Sequence, residues 1–170
     1  MQLDIQNFTH DGRGVARVDG KAIFVSGALT GERVVAKRTA RHRQYDEAEV
    51  IEVLQASPDR VAPGCAHFGV CGGCALQHLA PWAQIAAKQT TLIENLSRIG
   101  DVEPKRVLDP LQGEPWGYRR RGRLSVRHVE KKGRVLVGFR ETNGKYVADL
   151  ARCPVVLPAV GERLGVIAEL

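Results

Sequence analysis

The stretch Cys65-Ala-His-Phe-Gly-Val-Cys71-Gly-Gly-Cys74 holds three of the four cysteines, and the fourth, Cys153, stands far downstream in front of Pro154. Three thiols on one compact loop and one from a distance suit a [4Fe–4S] cluster, in which the remote residue closes the last corner. A Cys-Pro ending also occurs in cluster-binding ferredoxin runs. Gly72 and Gly73 fit that role, because residues without Cβ let the loop bend tightly and turn backbone N–H groups toward sulfur. Zinc is the rival, since four thiolates suit Zn²⁺, although zinc modules more often pair two Cys-x₂-Cys knuckles and only one occurs here. Two disulfides would need an oxidising compartment, and cytosolic thiols stay reduced. Spacing alone favours the cluster and leaves zinc open. His67 and His78 flank the cysteines and are read as polar neighbours rather than ligands, because four thiolates already fill the site.

The net charge of the 170 residues is +6, so an acidic partner is expected, nucleic acid first. The charge is uneven. Residues 1–60 carry nine Lys/Arg against nine Asp/Glu, whereas residues 61–170 carry sixteen against ten. Between Arg119 and Arg134 there are eight basic residues and one acid, Glu130, so an electrostatic footprint is expected to centre there. The first residues show neither the basic nor the apolar region of a signal peptide, and no apolar run approaches the roughly 20 residues that cross a bilayer. The chain reads as cytoplasmic and monomeric, with no membrane partner.

Residues 1–54 read as five short strands. Leu3 and Ile5 alternate with polar neighbours, and His10-Asp11-Gly12 marks a turn. Val15–Val18 and Ala22–Val25 join around Asp19-Gly20, a strong hairpin signal because a tight primed turn needs positive φ. Glu32–Arg38 and Ala48–Leu54 supply two more. Five such strands bury little as an open sheet, so a small closed β-barrel is expected. Its loop side carries Lys37, Arg38, Arg41, His42, Arg43 and Tyr45. Such a cluster suits RNA, where charge tracks phosphate and an aromatic ring stacks on a base. The competing reading is a solvated basic loop balanced by Asp46, Glu47 and Glu49.

Ser57 to Gly64 reads as a linker into the cysteine loop. Ala80-Pro81-Trp82 opens a helix with proline in its first turn. Ile85, Gln89, Leu92, Leu96 and Ile99 follow at helical spacing, and Gly100 ends the run. Tyr118 to Val129 has strand character, and alternation puts Arg119, Arg121, Arg123, Ser125 and Arg127 on one face. Four arginines there repel one another unless an anion lies across them; the bland reading is a solvated face. Lys131-Lys132-Gly133 turns the chain into Arg134–Arg140, and Asn143-Gly144 into Lys145–Leu150, giving a three-stranded antiparallel meander. It lies between Cys74 and Cys153, so a metal centre would clamp its ends as a structural staple.

The patterns Cys65-x₅-Cys71-Gly-Gly-Cys74-Ala-Leu-Gln77-His78-Leu79, Tyr118-Arg119-Arg120-Arg121-x-Arg123-Leu124 and Asp149-Leu-x-x-Cys153-Pro154 resemble the bacterial 23S rRNA uracil-5-methyltransferases that carry an iron–sulfur cluster. The stretches His10-Asp-Gly-Arg-Gly14 and Gly27-Ala-Leu-Thr-Gly-Glu32 resemble the TRAM domain that opens those enzymes. The resemblance covers essentially the whole chain. It implies an α+β, mainly β fold: a TRAM-like, OB-like barrel over 1–55, linker and cluster loop over 56–80, a central α/β domain with a basic antiparallel sheet over 81–155, and the start of a truncated helix over 156–170. It implies Cys65, Cys71, Cys74 and Cys153 as ligands of [4Fe–4S]. Folded 23S rRNA would be gripped by the barrel and the central sheet, through Lys37, Arg38, Arg41, Arg43, Arg119, Arg121, Arg123 and Arg127. Relatives acting on tRNA are expected to lack this barrel and cluster. Family members continue into a Rossmann-like S-adenosylmethionine domain with a cysteine nucleophile and a carboxylate base. That domain is expected to be missing here, because the four cysteines are claimed by the cluster motif and no glycine-rich loop leads from strand to helix. The chain is expected to be the N-terminal portion of such an enzyme, binding RNA but not methylating alone. A stand-alone zinc-stapled RNA-binding module and an electron carrier remain the alternatives.

Overall fold

The computed structural model describes residues 1–142 and 144–170. The chain forms two compact units. The first comprises Met1–Ala62 and His78–Pro110, the second Pro63–Gln77 and Leu111–Leu170, so each is built from two separate stretches of chain.

The first unit is a six-stranded sheet and one helix. Its strands are β1 (Gln2–Asp4), β2 (Asn7–Phe8), β3 (Gly14–Val18), β4 (Lys21–Ser26), β5 (Arg33–Arg41) and β6 (Tyr45–Gln55), in the order β1-β5-β6-β4-β3-β2. All neighbours are antiparallel except β4 and β6, which run parallel from Ala22↔Tyr45 to Ser26↔Glu49. The β3–β4 hairpin turns at Asp19 (φ 50°) and Gly20 (φ 80°), the positive angles that a two-residue primed turn demands. Three register irregularities along β5–β6 strengthen the twist and curl the long hairpin. The closed barrel expected from the sequence does not form. The sheet has two edges, β1 and β2, of three and two residues, too short to ladder to each other. The chain steps from one edge to the other at Ile5-Gln6, where the Ile5 N–H donates to Glu32 O and the Gln6 N–H to Val15 O, both at 2.8 Å.

Strand alternation puts Leu3, Ile5, Ala16, Ile23, Val25, Ala28, Val34, Ala36 and Ala48 in one core. Four of these nine are alanine, which lets a tightly curled sheet close over its own inner face without large side chains. The start of the linker read over Ser57 to Gly64 is held to the sheet. Buried Glu32 accepts the Leu29 N–H at 2.8 Å, the Ser57 N–H at 3.2 Å and both Nε and Nη2 of Arg60. Arg60 Nη2 also donates to Gly27 O at 2.6 Å. A fork-on-carboxylate pair joined by two backbone donors satisfies most of the acid's lone pairs, the condition under which a buried ion pair holds.

Helix α1 (Pro81–Arg98) starts at a proline as expected. Leu79, Ala80 and Ala83 pack with Leu29, and Phe8 and Ala87 lie against them. Of the predicted apolar stripe, Ile85, Gln89 and Leu96 are half-buried, whereas Leu92 is 57% and Ile99 81% exposed. Among the described residues, no helix is long and apolar enough to cross a membrane.

In the second unit, β7 (Ser125–Val129) and β8 (Arg134–Gly138) form an antiparallel pair joined by a single 3₁₀ turn, Glu130–Lys132. The strand expected from Tyr118 begins only at Ser125, because the residues before it pair elsewhere. The Arg119 N–H donates to Val155 O at 2.8 Å, and the Leu157 N–H to Arg119 O at 3.2 Å. Among the described residues, the expected third strand is reduced to the bridge Arg140↔Val147, flanked by the Glu141 N–H donating to Tyr146 O and the Ala148 N–H donating to Phe139 O, both at 2.9 Å. Of the Asn143-Gly144 turn, Asn143 lies outside the described residues. The terminal helix expected from Pro158 appears as two short pieces, α2 (Pro158–Gly161) and α3 (Leu164–Glu169). The core of this unit is Ala148, Leu150, Cys153, Val155 and Leu164, with Cys71, Cys74 and Phe139 packed against it.

Candidate metal centre and basic surfaces

The four cysteines come from two stretches of the second unit and line one small cavity, together with His67, Gln77 and Phe139. Local hydrogen bonds shape the first stretch. The Phe68 N–H donates to Cys65 O at 3.1 Å and the Cys71 N–H to His67 O at 2.9 Å, which winds the five intervening residues into successive turns. The Cys65 N–H is held by Gln77 Oε1 at 3.1 Å. The Gly72 N–H donates to Arg140 O at 2.9 Å, and Cys71 bridges Glu141. The second stretch is set by the Cys153 N–H, which donates to Gly161 O at 2.8 Å.

Gly73 shows why the motif carries glycine there. A Cβ on it would meet the Phe139 ring at 2.9 Å and Cys71 Sγ at 3.4 Å. The Gly73 N–H reaches Cys71 Sγ at 3.4 Å, the backbone-to-sulfur contact that stabilises a thiolate. Arg119 holds the same residue from outside, with Nη1 and Nη2 each 3.1 Å from Gly73 O and the guanidinium 5.3 Å from the Phe139 ring centroid. Burial pushes the Cys71 thiol up, the Gly73 amide pulls it down, and the nearby Cys74, Cys153 and Cys65 push it up again. Ionising all four thiols at such close quarters would take a cationic group between them. Among the described residues, no set of three or more His, Cys, Asp or Glu side chains is disposed to hold a metal ion. A lone Zn²⁺ at about 2.3 Å from each sulfur would need the sulfurs about 3.8 Å apart.

The two histidines part company. His67 lines the cavity. His78 is buried in the first unit, where burial lowers its pKa to about 4; the Arg60 charge adds to the fall and Glu32 opposes it.

The basic residues fall into two classes. Arg38 Nε lies 2.9 Å from Asp46, which Lys21 Nζ also reaches at 2.6 Å, and Arg119 is engaged with Gly73. Lys132 and Arg134 converge on Asp149, each at 2.6 Å, and these two cations hold its carboxyl below the usual range. By contrast, Lys37, Arg41, Arg43, Arg121, Arg123 and Arg127 are exposed, and none forms a salt bridge among the described residues. Sequence reasoning missed the surroundings of Tyr45. His42 stacks on its ring with centroids 4.4 Å apart, Phe24 meets it edge-on at 5.3 Å, and Arg13 sits 4.9 Å over Phe24. Phe24 carried no signal of its own, because its neighbour Tyr45 lies on a strand that pairs in parallel across a long connection.

Residues 1–51 match the family described as the TRAM domain. The chain is 58% identical, over 99% of its length, to the 23S rRNA (uracil(1939)-C(5))-methyltransferase RlmD of Xylella fastidiosa (strain 9a5c). It is 59% identical over the same share to the protein of that description from Xanthomonas campestris pv. campestris (strain 8004). The chain spans 39% of the length of each of these curated relatives. Among solved structures, it is similar to the Pyrococcus abyssi tRNA (uracil-54, C5)-methyltransferase in complex with S-adenosyl-L-homocysteine. There the identity is 26% and the TM-score 0.66, covering 99% of this chain and 36% of that one. Relatives acting on tRNA were expected to lack this barrel and cluster; in fold, the likeness to a tRNA enzyme runs through nearly the whole chain.

Proposed function

We propose that this chain, which belongs with the TRAM-bearing 23S rRNA uracil-C5-methyltransferases and spans 39% of their length, grips folded rRNA and holds a [4Fe–4S] cluster. The observation that carries the second half is the cavity lined by all four cysteines. Cys65, Cys71, Cys74 and Cys153 would hold the cluster, and Gln77, Arg119 and the Gly73 amide would fix the loop around it. When bound, the cluster supplies a compact cationic core that neutralises four thiolates and ties the two stretches together. Three thiols on one loop and a fourth from far downstream support this group over zinc, and the lack of any evident use for a basic sheet argues against an electron carrier.

RNA binding rests on the exposed cations. Lys37, Arg41 and Arg43 of the first unit and Arg121, Arg123 and Arg127 of the second would lie on phosphates, with Arg38 and Arg119 supporting the surface from within. The chain is cytoplasmic and monomeric in this reading, and its substrate is 23S rRNA. It does not methylate alone, because its four cysteines all line the cavity and leave no thiol for attack on a uracil ring.

Anaerobic purification with metal analysis and rRNA-fragment binding tests this function. Roughly four irons and four sulfides per chain are expected, with RNA affinity that falls steeply as salt rises. One Zn²⁺ per chain that resists replacement by iron overturns the cluster, and affinity that ignores salt overturns the phosphate surface.

A further inference from the structure

We infer that His42, Tyr45 and Phe24 form a stacking platform for one unpaired RNA nucleobase, with Arg41 and Arg43 on the phosphates either side of it. This rests on the RNA-binding reading above and adds to it the chemical class of ligand that the sheet of the first unit takes.

Strand alternation creates the platform. Ile23 and Val25 of β4, and Asp46 and Ala48 of β6, point into the unit, so Phe24 and Tyr45 point the other way. The parallel register brings β4 and β6 together at Ala22↔Tyr45 and Phe24↔Glu47, which sets the two rings side by side. Phe24 meets Tyr45 at 64°, an edge-on support, and His42 lies over Tyr45 at 29°, a stacked pair. The His42 N–H donates to Tyr45 O at 2.9 Å, which fixes the turn that carries the imidazole. None of the three rings belongs to the buried core, and the His42 side chain is 42% exposed. Three rings in sequence on an outward face, in a chain only 5% aromatic, do not serve packing of the core.

The charges around the rings match a nucleic acid. Two of the carboxylates nearby are already taken, and Glu49 is exposed. Asp46 is paired with Lys21 and Arg38, and Glu47 lies 3.5 Å from Arg13 and 3.9 Å from His42 Nε2. That leaves Arg41 and Arg43, immediately on either side of His42, for phosphate. Only an unpaired base offers a free π-face, and stacking tolerates any base while carrying about 1–3 kcal/mol. A duplex would present phosphates alone to this surface.

Anisotropy of the 170-residue chain with a labelled single-stranded oligoribonucleotide and its duplex, across a salt series, tests the inference. The single strand is expected to bind more tightly. His42→Ala, a change in an exposed turn, is expected to weaken binding by about tenfold while the salt dependence keeps its slope. His42→Trp, with a larger π-face, is expected to tighten it. Arg43→Ala is expected to weaken binding and to reduce the slope by about 0.7. If His42→Ala binds within about twofold of the parent, or lowers the slope as Arg43→Ala does, the platform is overturned and the phosphate reading stands. If the duplex binds more tightly, the platform is likewise overturned. If the parent binds neither RNA, both readings fall together.

Discussion

The two units solve the same problem with different materials. The first buries nine apolar side chains in a six-stranded sheet and ties its one loose segment with the Glu32–Arg60 pair. The second has a two-stranded sheet and short helical pieces, and its core contains Cys153 as a member, with Cys71 and Cys74 packed against it. Each of the five larger side chains of the first core, Leu3, Ile5, Ile23, Val25 and Val34, contributes about 1.5–3 kcal/mol by its burial. The second gathers its four thiols around one small cavity beside a core of five residues, so a group bound by the thiols would add to its cohesion.

Removing one ligand breaks the comparison most sharply. Cys153→Ser should lower iron well below four per chain and release the C-terminal stretch, because Cys153 sits between Leu150, Val155 and Leu164. Metal sites of this kind carry folding energy outright, on the order of 10 kcal/mol, so the second unit should lose most of its amide protection. Hydrogen exchange read by mass spectrometry should find residues 1–62 protected as before. Equal loss in both units would mean that they fold as one, and no loss in either would mean that the cavity needs no occupant.

The next effect belongs to the first unit. His78 is neutral in the fold because burial brings its pKa to about 4, whereas the unfolded side chain titrates near its ordinary 6.5. Above that value neither state takes a proton, so stability does not change. Between 6.5 and 4 only the unfolded chain is protonated, so stability falls as the pH falls, by up to roughly 3 kcal/mol, and it levels off below. Glu32, held below its ordinary 4.5 by the Arg60 hydrogen bond against the cost of burial, adds a further loss only at the acid end. Urea midpoints of the first unit's transition from pH 7.5 to 4 read this directly, and His78→Gln should flatten the upper part of the window. A parent curve that is flat from 6.5 to 5 would mean that the imidazole is protonated in the fold.

The sequence carried the local geometry well. Asp19-Gly20 turns where the dipeptide says, α1 opens at Pro81, and the four thiols line one cavity. What stayed hidden are choices of partner. Periodicity says which face of a segment is apolar, not what covers it, so Leu92 and Ile99 share a stripe yet lie open. Alternation over Tyr118–Leu124 suggests a strand in the basic sheet, but nothing in it reveals that Arg119 pairs in parallel with Val156. The pairing of β4 with β6 and the capture of Arg60 by Glu32 are long-range in the same sense. A five-strand count suggests closure, but not that its first strand splits into two short edges.

Arg119 is where that hidden choice has a measurable consequence. Alternation puts it on the phosphate face with Arg121, Arg123 and Arg127, whereas the structure spends its two Nη donors on Gly73 O and lays its plane near Phe139. Lysine keeps the charge but loses the fork and the flat contact, so Arg119→Lys should loosen the cysteine loop by about 1 kcal/mol. The visible absorption of the loaded chain should then bleach several-fold faster in air, at about the RT-scaled rate that a barrier change of that size gives. RNA affinity should keep its salt slope, since no phosphate contact is lost. Arg121→Lys should alter neither bleaching nor slope, because a solvent-facing cation serves phosphate equally with either head group. If Arg119→Ala lowers the slope by about 0.7 and leaves bleaching unchanged, the side chain works on RNA, and the second unit's loop is held without it.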